Sequence, residues 1–214
     1  MNIVIIGHGG HSKVVSDIIL ATEGIQVLGY LDHKYKTKEV INNFICAPIS
    51  EVREIKENND DVRFVMAIGD NRVRKEIIET LDLSSDDFIS LLHPTASISS
   101  SAKIGYGTVV MPNAVINADA VIGCHSIINS AAIVEHDCYL GDFVHLCPNS
   151  TLAGAVKVES GCMIGSGATI IPNKTIGEWT VVGAGATVID HLPRNSKAVG
   201  TPARIIENHY IKTG

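Results

Sequence analysis

Aromatic residues are scarce in this 214-residue sequence: Phe, Trp and Tyr together make up 5%, with a single tryptophan. A core must then be filled by Ile, Val, Leu and Ala, which suits a repetitive scaffold with little room for large rings. The five cysteines (Cys46, Cys124, Cys138, Cys147 and Cys162) are odd in number and form no CxxC pair. They read as small buried apolar residues rather than a disulfide framework or metal site. Basic residues are outnumbered, 17 against 23 acidic, for a net charge of −6. That balance argues against a nucleic-acid partner, because phosphate binding needs a basic surface. No apolar run reaches the roughly 18 residues of a membrane span. The chain enters the strand-like run Asn2–Ile6 without a basic region or cleavage signal, so the expected setting is soluble and cytoplasmic.

What the sequence does have is a strict period of six. Stepping from Ile98 gives Ile104, Val110, Ile116, Ile122, Ile128, Val134 and Leu140, then Leu146, Leu152, Val158, Ile164, Ile170, Ile176, Val182 and Val188. Every position is Ile, Val or Leu. The fifth place of each hexad is mostly small, as at Ala102, Ala114, Ser126 and Ala168, and glycine often follows the aliphatic residue, as at Gly105, Gly123 and Gly141. A helix of period 3.6 cannot hold such a register on one face, and a plain strand would show period two. A short strand and a tight turn, repeated three times per coil, account for it, with Gly or Asn supplying left-handed backbone angles at the turns. Three hexads give an 18-residue coil, and the run implies about five coils. The expected fold is therefore a left-handed parallel β-helix from hexapeptide repeats, preceded by a different domain.

That first domain reads as Rossmann-like α/β. A buried strand, Asn2–Ile6, meets the turn Gly7-His8-Gly9-Gly10-His11, and a helix spans about Ser12 to Ala21. A second strand, Val27–Leu31, ends at Asp32. A third, Arg63–Ile68, ends at Gly69-Asp70-Asn71 and leads into a helix carrying Arg72 and Arg74. The third glycine of the dinucleotide fingerprint is missing, since Ser12 stands there, and the unit is short. A single nucleotide diphosphate fits this turn at a helix N-terminus better than a nicotinamide dinucleotide does. His93-Pro94 marks the expected junction, dividing the chain into 1–93, 94–203 and a tail of 204–214.

The Gly-x-Gly-Gly-His turn, the Ala67-Ile-Gly-Asp-Asn-Arg72 segment, the hexads and Asn129-Ser-Ala-Ala-Ile-Val-Glu-His-Asp-Cys138 together resemble the PglD/NeuD-type family of bacterial sugar acyltransferases. The resemblance spans essentially the whole chain. It implies acetyl-CoA as co-substrate, a nucleotide-linked amino sugar as acceptor, and a homotrimer. It also implies His136 as general base with Asp137 orienting and polarising it. Substrate contacts would fall on Gly9, Gly10, His11, Asp32, Gly69, Asn71 and Asn129. Contacts with the cofactor would fall on His145, Gly154, Gly183, Ala184 and Arg204, the last in the closing Val199–Arg204 segment.

The chemistry fits these residue types. An amine or hydroxyl attacking a thioester must shed a proton, and a neutral histidine suits that near pH 7. Backbone N–H groups beside Gly154 can hold the oxyanion, and no metal is required. His8, His33, His93, His125, His191 and His209 read as surface or structural. His136 and His145 stand nine residues apart, half a coil, so they project from opposite sides of one prism; a centre using both would lie between subunits.

Three other readings compete. One is O-acetyl transfer to sialic acid or another sugar. Another is a γ-type carbonic anhydrase, disfavoured because the histidine spacing lacks its zinc-ligand pattern. The third is a non-catalytic sugar-binding module.

Overall fold

Alternation along the first strand explains how the amino-terminal domain is built. In β1 (Asn2–Ile6) the side chains of Val4 and Ile6 enter one core and those of Ile3 and Ile5 the other, as the two-residue period of a buried strand dictates. Beside β1 lie β2 (Gln26–Leu31) and β5 (Val62–Met66), both parallel to it. A hairpin of β3 (Glu39–Ile41) and β4 (Phe44–Ala47) completes the sheet in the order β3-β4-β2-β1-β5, with only β3 antiparallel. The helices are α1 (Gly10–Leu20), α2 (Val52–Glu57) and α3 (Asn71–Thr80).

The hairpin and α2 fall in a stretch where no strand or helix was expected. Residues 34–61 are rich in charged and polar residues, and β3 and β4 are too short, at three and four residues, to display a period.

The core on the Val4 side joins Leu31, Phe64 and Met66 to Val52 and Ile55 of α2 and Ile77 of α3. On the Ile3 side, Val15, Ile18 and Ile19 of α1 meet Val109, Met111 and Ile127 of the repeat region. The second core is therefore also the junction between the two halves of the chain.

From Leu91 onward the backbone winds in two-residue strands, each paired in parallel with the residue eighteen further on, as Val115 with Ile133 and Ile127 with His145. The coils form a left-handed β-helix of three flat faces. The first face runs from Ser97–Ile98 to Thr187–Val188, the second from Lys103–Ile104 to Thr175–Ile176. The third begins at Leu91–Leu92, just before His93-Pro94, and ends with Ser196–Val199 and the antiparallel Arg204–Asn208. The hexad aliphatics from Val110 to Val188 stack inside the prism and are almost fully buried. Each such side chain contributes about 1.5–3 kcal/mol by leaving water.

The corners are made differently from the sequence expectation. The left-handed angle falls three residues after each aliphatic, at every sixth position from Gly107 to Gly185. Asn113, Asp119, His125, Asp137, Phe143 and Trp179 adopt it as well as glycine. The glycines next to the aliphatics are small for another reason. A Cβ on Gly165 would lie 2.5 Å from the backbone nitrogen of Ala184, and one on Gly177 2.4 Å from that of Arg194. They let successive coils approach, while the corners tolerate many residue types because the stacked backbone holds them.

The computed structural model describes residues 1–208. His209 and the rest of the tail, 209–214, lie outside the described residues. Among the described residues no helix is long and apolar enough to cross a membrane.

Candidate active site

His136 and Asp137 sit on the corner between the strands Ile133–Val134 and Tyr139–Leu140. Asp137 occupies the left-handed position with φ 60°, a conformation that aspartate tolerates better than most residues. The corner turns both side chains into solvent, where they are 62% and 61% exposed. His136 Nδ1 meets Asp137 Oδ2 at 2.7 Å. A carboxylate can only accept, so Nδ1 carries the proton and Nε2 presents its lone pair outward. The hydrogen bond that His136 donates to Asp137 raises the His136 pKa above its ordinary value, with Glu135 adding to the effect.

One coil further on is Gly154. A Cβ there would stand 2.7 Å from His136 Cε1 and Nε2. Glycine at 154 leaves the imidazole its place against the wall.

Gly183 and Ala184 lie on a different corner, between Val181–Val182 and Thr187–Val188, and Arg204 opens the closing strand with its guanidinium 3.8 Å from Asp190 Oδ2. The expected cofactor residues thus divide between two corners of the prism. His145 lies apart from both corners. It belongs to the third face, is 8% exposed, and packs beneath the amino-terminal domain. Its Nδ1 contacts the Gly69 carbonyl at 3.2 Å and its Nε2 the Asn129 Nδ2 at 3.1 Å. His11 lies across from it, ring centroids 6.4 Å apart. Structurally, His145 joins the substrate-side residues His11, Gly69 and Asn129. Burial, with Arg74 nearby, pushes its pKa down to about 4, and the same two causes lower that of His11.

The carboxyl ends of β1, β2 and β5 meet at a crevice. Gly9, Gly10 and Gly69 have no positive φ, and nothing lies within 4 Å of a Cβ built on any of them. Neither packing nor backbone geometry asks for glycine there, which leaves close approach of a ligand as the physical use. Asp32 braces the crevice: its carboxylate accepts from the backbone N–H of His8 at 2.6 Å and of Lys34 at 3.0 Å. Burial opposes ionisation of Asp32, but those N–H groups outweigh it and hold the carboxyl below the usual range. His8 itself is structural, stacked on Tyr30 at 3.9 Å.

Asn71, expected on the substrate side, is engaged elsewhere in this chain. Its side chain is spent on the junction, donating to the carbonyls of Gly161 and Cys162 and accepting from Arg74. With 5% exposure it is not available to a ligand in the crevice.

Two features escaped the sequence. Arg74 is buried to 1% exposure between the domains. His125, expected to be unremarkable, is 3% exposed inside a box of Phe88, Tyr106 and Phe143. Burial, reinforced by Arg74, pushes the His125 pKa to about 4. The only sequence signal for Arg74 is its i,i+3 spacing from Asn71, which puts both on one face of α3.

A cavity of about 630 Å³ opens on the amino-terminal domain beside His33, Lys36 and Arg53 and does not include His136 or Gly154. Among the described residues no cluster of His, Cys, Asp and Glu could hold a metal ion.

An α/β domain clasped to a left-handed β-helix, with a His–Asp pair on a coil corner, is the architecture of a hexapeptide-repeat acyltransferase. Residues 2–81 match the PglD N-terminal domain family. Over 110 residues the sequence is 47% identical to the UDP-N-acetylbacillosamine N-acetyltransferase of Bacillus subtilis (strain 168), covering 51% of each protein. This chain thus matches about half the length of its curated relatives. Solved structures match over nearly the full length. A histidine-to-asparagine mutant of the perosamine N-acetyltransferase from Caulobacter crescentus, in complex with CoA and GDP-perosamine, has a TM-score of 0.88 and 37% identity over 97% of this chain and 98% of that one. The acetyltransferase domain of PglB from Neisseria gonorrhoeae FA1090, in complex with acetyl coenzyme A, has a TM-score of 0.83 and 32% identity over 96% and 98%. The chain belongs to the PglD-type family of sugar acyltransferases.

Proposed function

We propose that this protein is an acetyl-CoA-dependent N-acetyltransferase acting on the amino group of a nucleotide-linked amino sugar, of the UDP-4-amino-4,6-dideoxy type. The observation that carries the proposal is the His136–Asp137 pair, with Nδ1 held at 2.7 Å and Nε2 open to solvent. The bound molecules of the full-length neighbours, CoA with GDP-perosamine and acetyl coenzyme A, support the two substrates.

The sugar amine attacks the thioester carbonyl while His136 Nε2 accepts its proton. The N–C bond forms first, and the oxyanion is held by backbone N–H groups at the Gly154 corner. Collapse breaks the C–S bond, and the imidazolium returns the proton to the departing CoA thiolate. Gly9, Gly10, His11 and Asp32 form the side that receives the nucleotide, with Gly69, Asn129 and His145 between it and the coils. Gly154 on one corner and Gly183, Ala184 and Arg204 on another hold the cofactor. Because those residues occupy different corners of one prism, the reading includes a homotrimer in which neighbouring chains supply the two sides.

The test is a mass-spectrometric acetylation assay of purified protein with acetyl-CoA and a panel of UDP- and GDP-linked amino sugars. Mass gain on the amine of a nucleotide sugar is expected. Acetylation confined to a hydroxyl of free sialic acid would replace this reading with O-acetyl transfer.

A further inference from the structure

The Arg74 guanidinium uses all five N–H groups at the domain junction, two of them across it to His125 and Phe143 and three within its own domain. Nε donates to the His125 carbonyl, Nη1 to those of Ile68 and Gly69, and Nη2 to Asn71 Oδ1 and the Phe143 carbonyl. The Gly69 carbonyl that it grips is the one that meets His145 Nδ1.

We propose that Arg74 is a positioning residue: through the Gly69 carbonyl it fixes which nitrogen of His145 carries the proton, and so aims the remaining amide hydrogen of Asn129 at the substrate. The assignment closes from both ends. At the far end, the backbone N–H of Ser130 donates to Asn129 Oδ1 at 2.8 Å, so the amide nitrogen is the atom facing His145. That nitrogen can only donate, which makes His145 Nε2 the acceptor. At the near end the Gly69 carbonyl can only accept, which puts the proton on Nδ1. Both ends give the same neutral imidazole. One hydrogen of Asn129 Nδ2 is then committed, and the other has no partner among the described residues.

Charge works in the same direction as geometry. The titratable and charged groups facing His145 are Arg74 from α3 and His11 from α1. A proton added at Nε2 would break the Asn129 bond and place a cation beside Arg74. Lysine cannot substitute, because a point charge with three donors does not span from Ile68 and Gly69 to His125 and Phe143. The arrangement links the nucleotide-side turn to the coil face, since one residue holds Gly69, Phe143 and His125 in a fixed relation.

Its kinetic half rests on the proposed acetyl transfer; its protonation half does not. The experiment is nitrogen-15 NMR of histidine-labelled full-length protein, with steady-state kinetics alongside. In the wild type, His145 is expected as the neutral Nδ1–H form from pH 7 to below pH 6. In Arg74→Lys it should show mixed tautomers and titrate closer to 6.5. The kcat should fall by about 10- to 100-fold through misplacement of Asn129, with the acetyl-CoA KM nearly unchanged.

If Arg74→Lys does not fold, Asn129→Asp carries the test. With Gly69 still holding Nδ1–H, a carboxylate at Nε2 forces a second proton onto the ring, so His145 becomes charged at neutral pH. A neutral Nε2–H ring in that variant, or in the wild type, overturns the proposal. So does an Arg74→Lys enzyme with tautomer and kcat unaltered. Wild-type protein that acetylates no amino sugar would instead refute the functional reading and leave the histidine result standing.

Discussion

His136 takes its working state from two neighbours, Asp137 along the chain and Gly154 one coil away. His136→Ala should lower kcat by about 10²–10⁴-fold with little loss of acetyl-CoA affinity, as removal of a general base does; a wild-type-like kcat would refute the role. Asp137→Asn should cost less and also move the pH profile. A base must be unprotonated to act, and Asp137 raises the His136 pKa. The acid limb of kcat/KM should therefore shift to lower pH in Asp137→Asn while the plateau falls. Gly154→Ala offers a sharper test, because its Cβ lands 2.7 Å from the ring. Displacing the base by about 1 Å should cost about 100-fold in kcat, with the melting temperature little changed. The roles of His136 and Asp137 could be proposed from the sequence because the Glu135-His-Asp137 segment resembles the motif of the PglD/NeuD-type family. The function of Gly154 as the space behind the imidazole could not, since nothing in a linear reading says that residue 154 lies over residue 136 until the coil length is applied to each corner.

Among the elements, the amino-terminal turn and α3 make separable predictions. Gly10→Val should raise the nucleotide-sugar KM several-fold and leave that for acetyl-CoA nearly unchanged, since a Cβ at Gly10 meets no protein atom within 4 Å. Equal losses for both substrates, or a collapse in stability, would make the turn structural. α3 is capped by Asp70, whose Oδ1 accepts from the N–H groups of Arg72 and Val73. Asp70→Ala should cost about 1 kcal/mol in denaturant unfolding. The repeat was the most readable element, because sixteen aliphatics at one spacing leave no competing period. The β3–β4 hairpin and α2 were unreadable, being short and stabilised by their neighbours rather than by a pattern of their own. The junction bonds of Asn71 were not legible for a related reason: polar residues after a strand end look alike whether they face a ligand or seal a junction.

For the whole molecule, two buried histidines set an acid limit. Burial pushes the pKa values of His125 and His145 down to about 4 in the folded protein against 6.5 for a histidine in the unfolded chain, which therefore binds more protons between those limits. Stability contributed by keeping them neutral is complete above about pH 6.5 and is lost as pH falls toward 4, at about 1.4 kcal/mol per pH unit for each residue. Denaturant unfolding at pH 7, 5.5 and 4.5 should show this slope, and His125→Phe should flatten it. Phenylalanine is acceptable there, because Phe143 holds the equivalent corner one coil away with a similar left-handed φ. A flat profile in the wild type would show that these rings are not neutral and buried in solution. The proposed shared centre has its own test at this scale. Mixed trimers of His136→Ala and His145→Ala chains should regain part of the activity, and verified mixed trimers with none would exclude it.

The eighteen-residue coil has a consequence for how this chain can change in length. Residues pair with partners eighteen positions away, so the distance between the amino-terminal domain and the His136 corner is counted in hexads. An insertion or deletion of one hexad between Ile98 and Ile128 would carry His136 round to another face of the prism, away from the partner surface that the proposed shared centre requires. Loss of eighteen residues would restore its bearing and lower it by a single coil. Length in this region is thus quantised: single-residue insertions break the stack, six-residue ones rotate the chemistry, and only whole coils preserve direction.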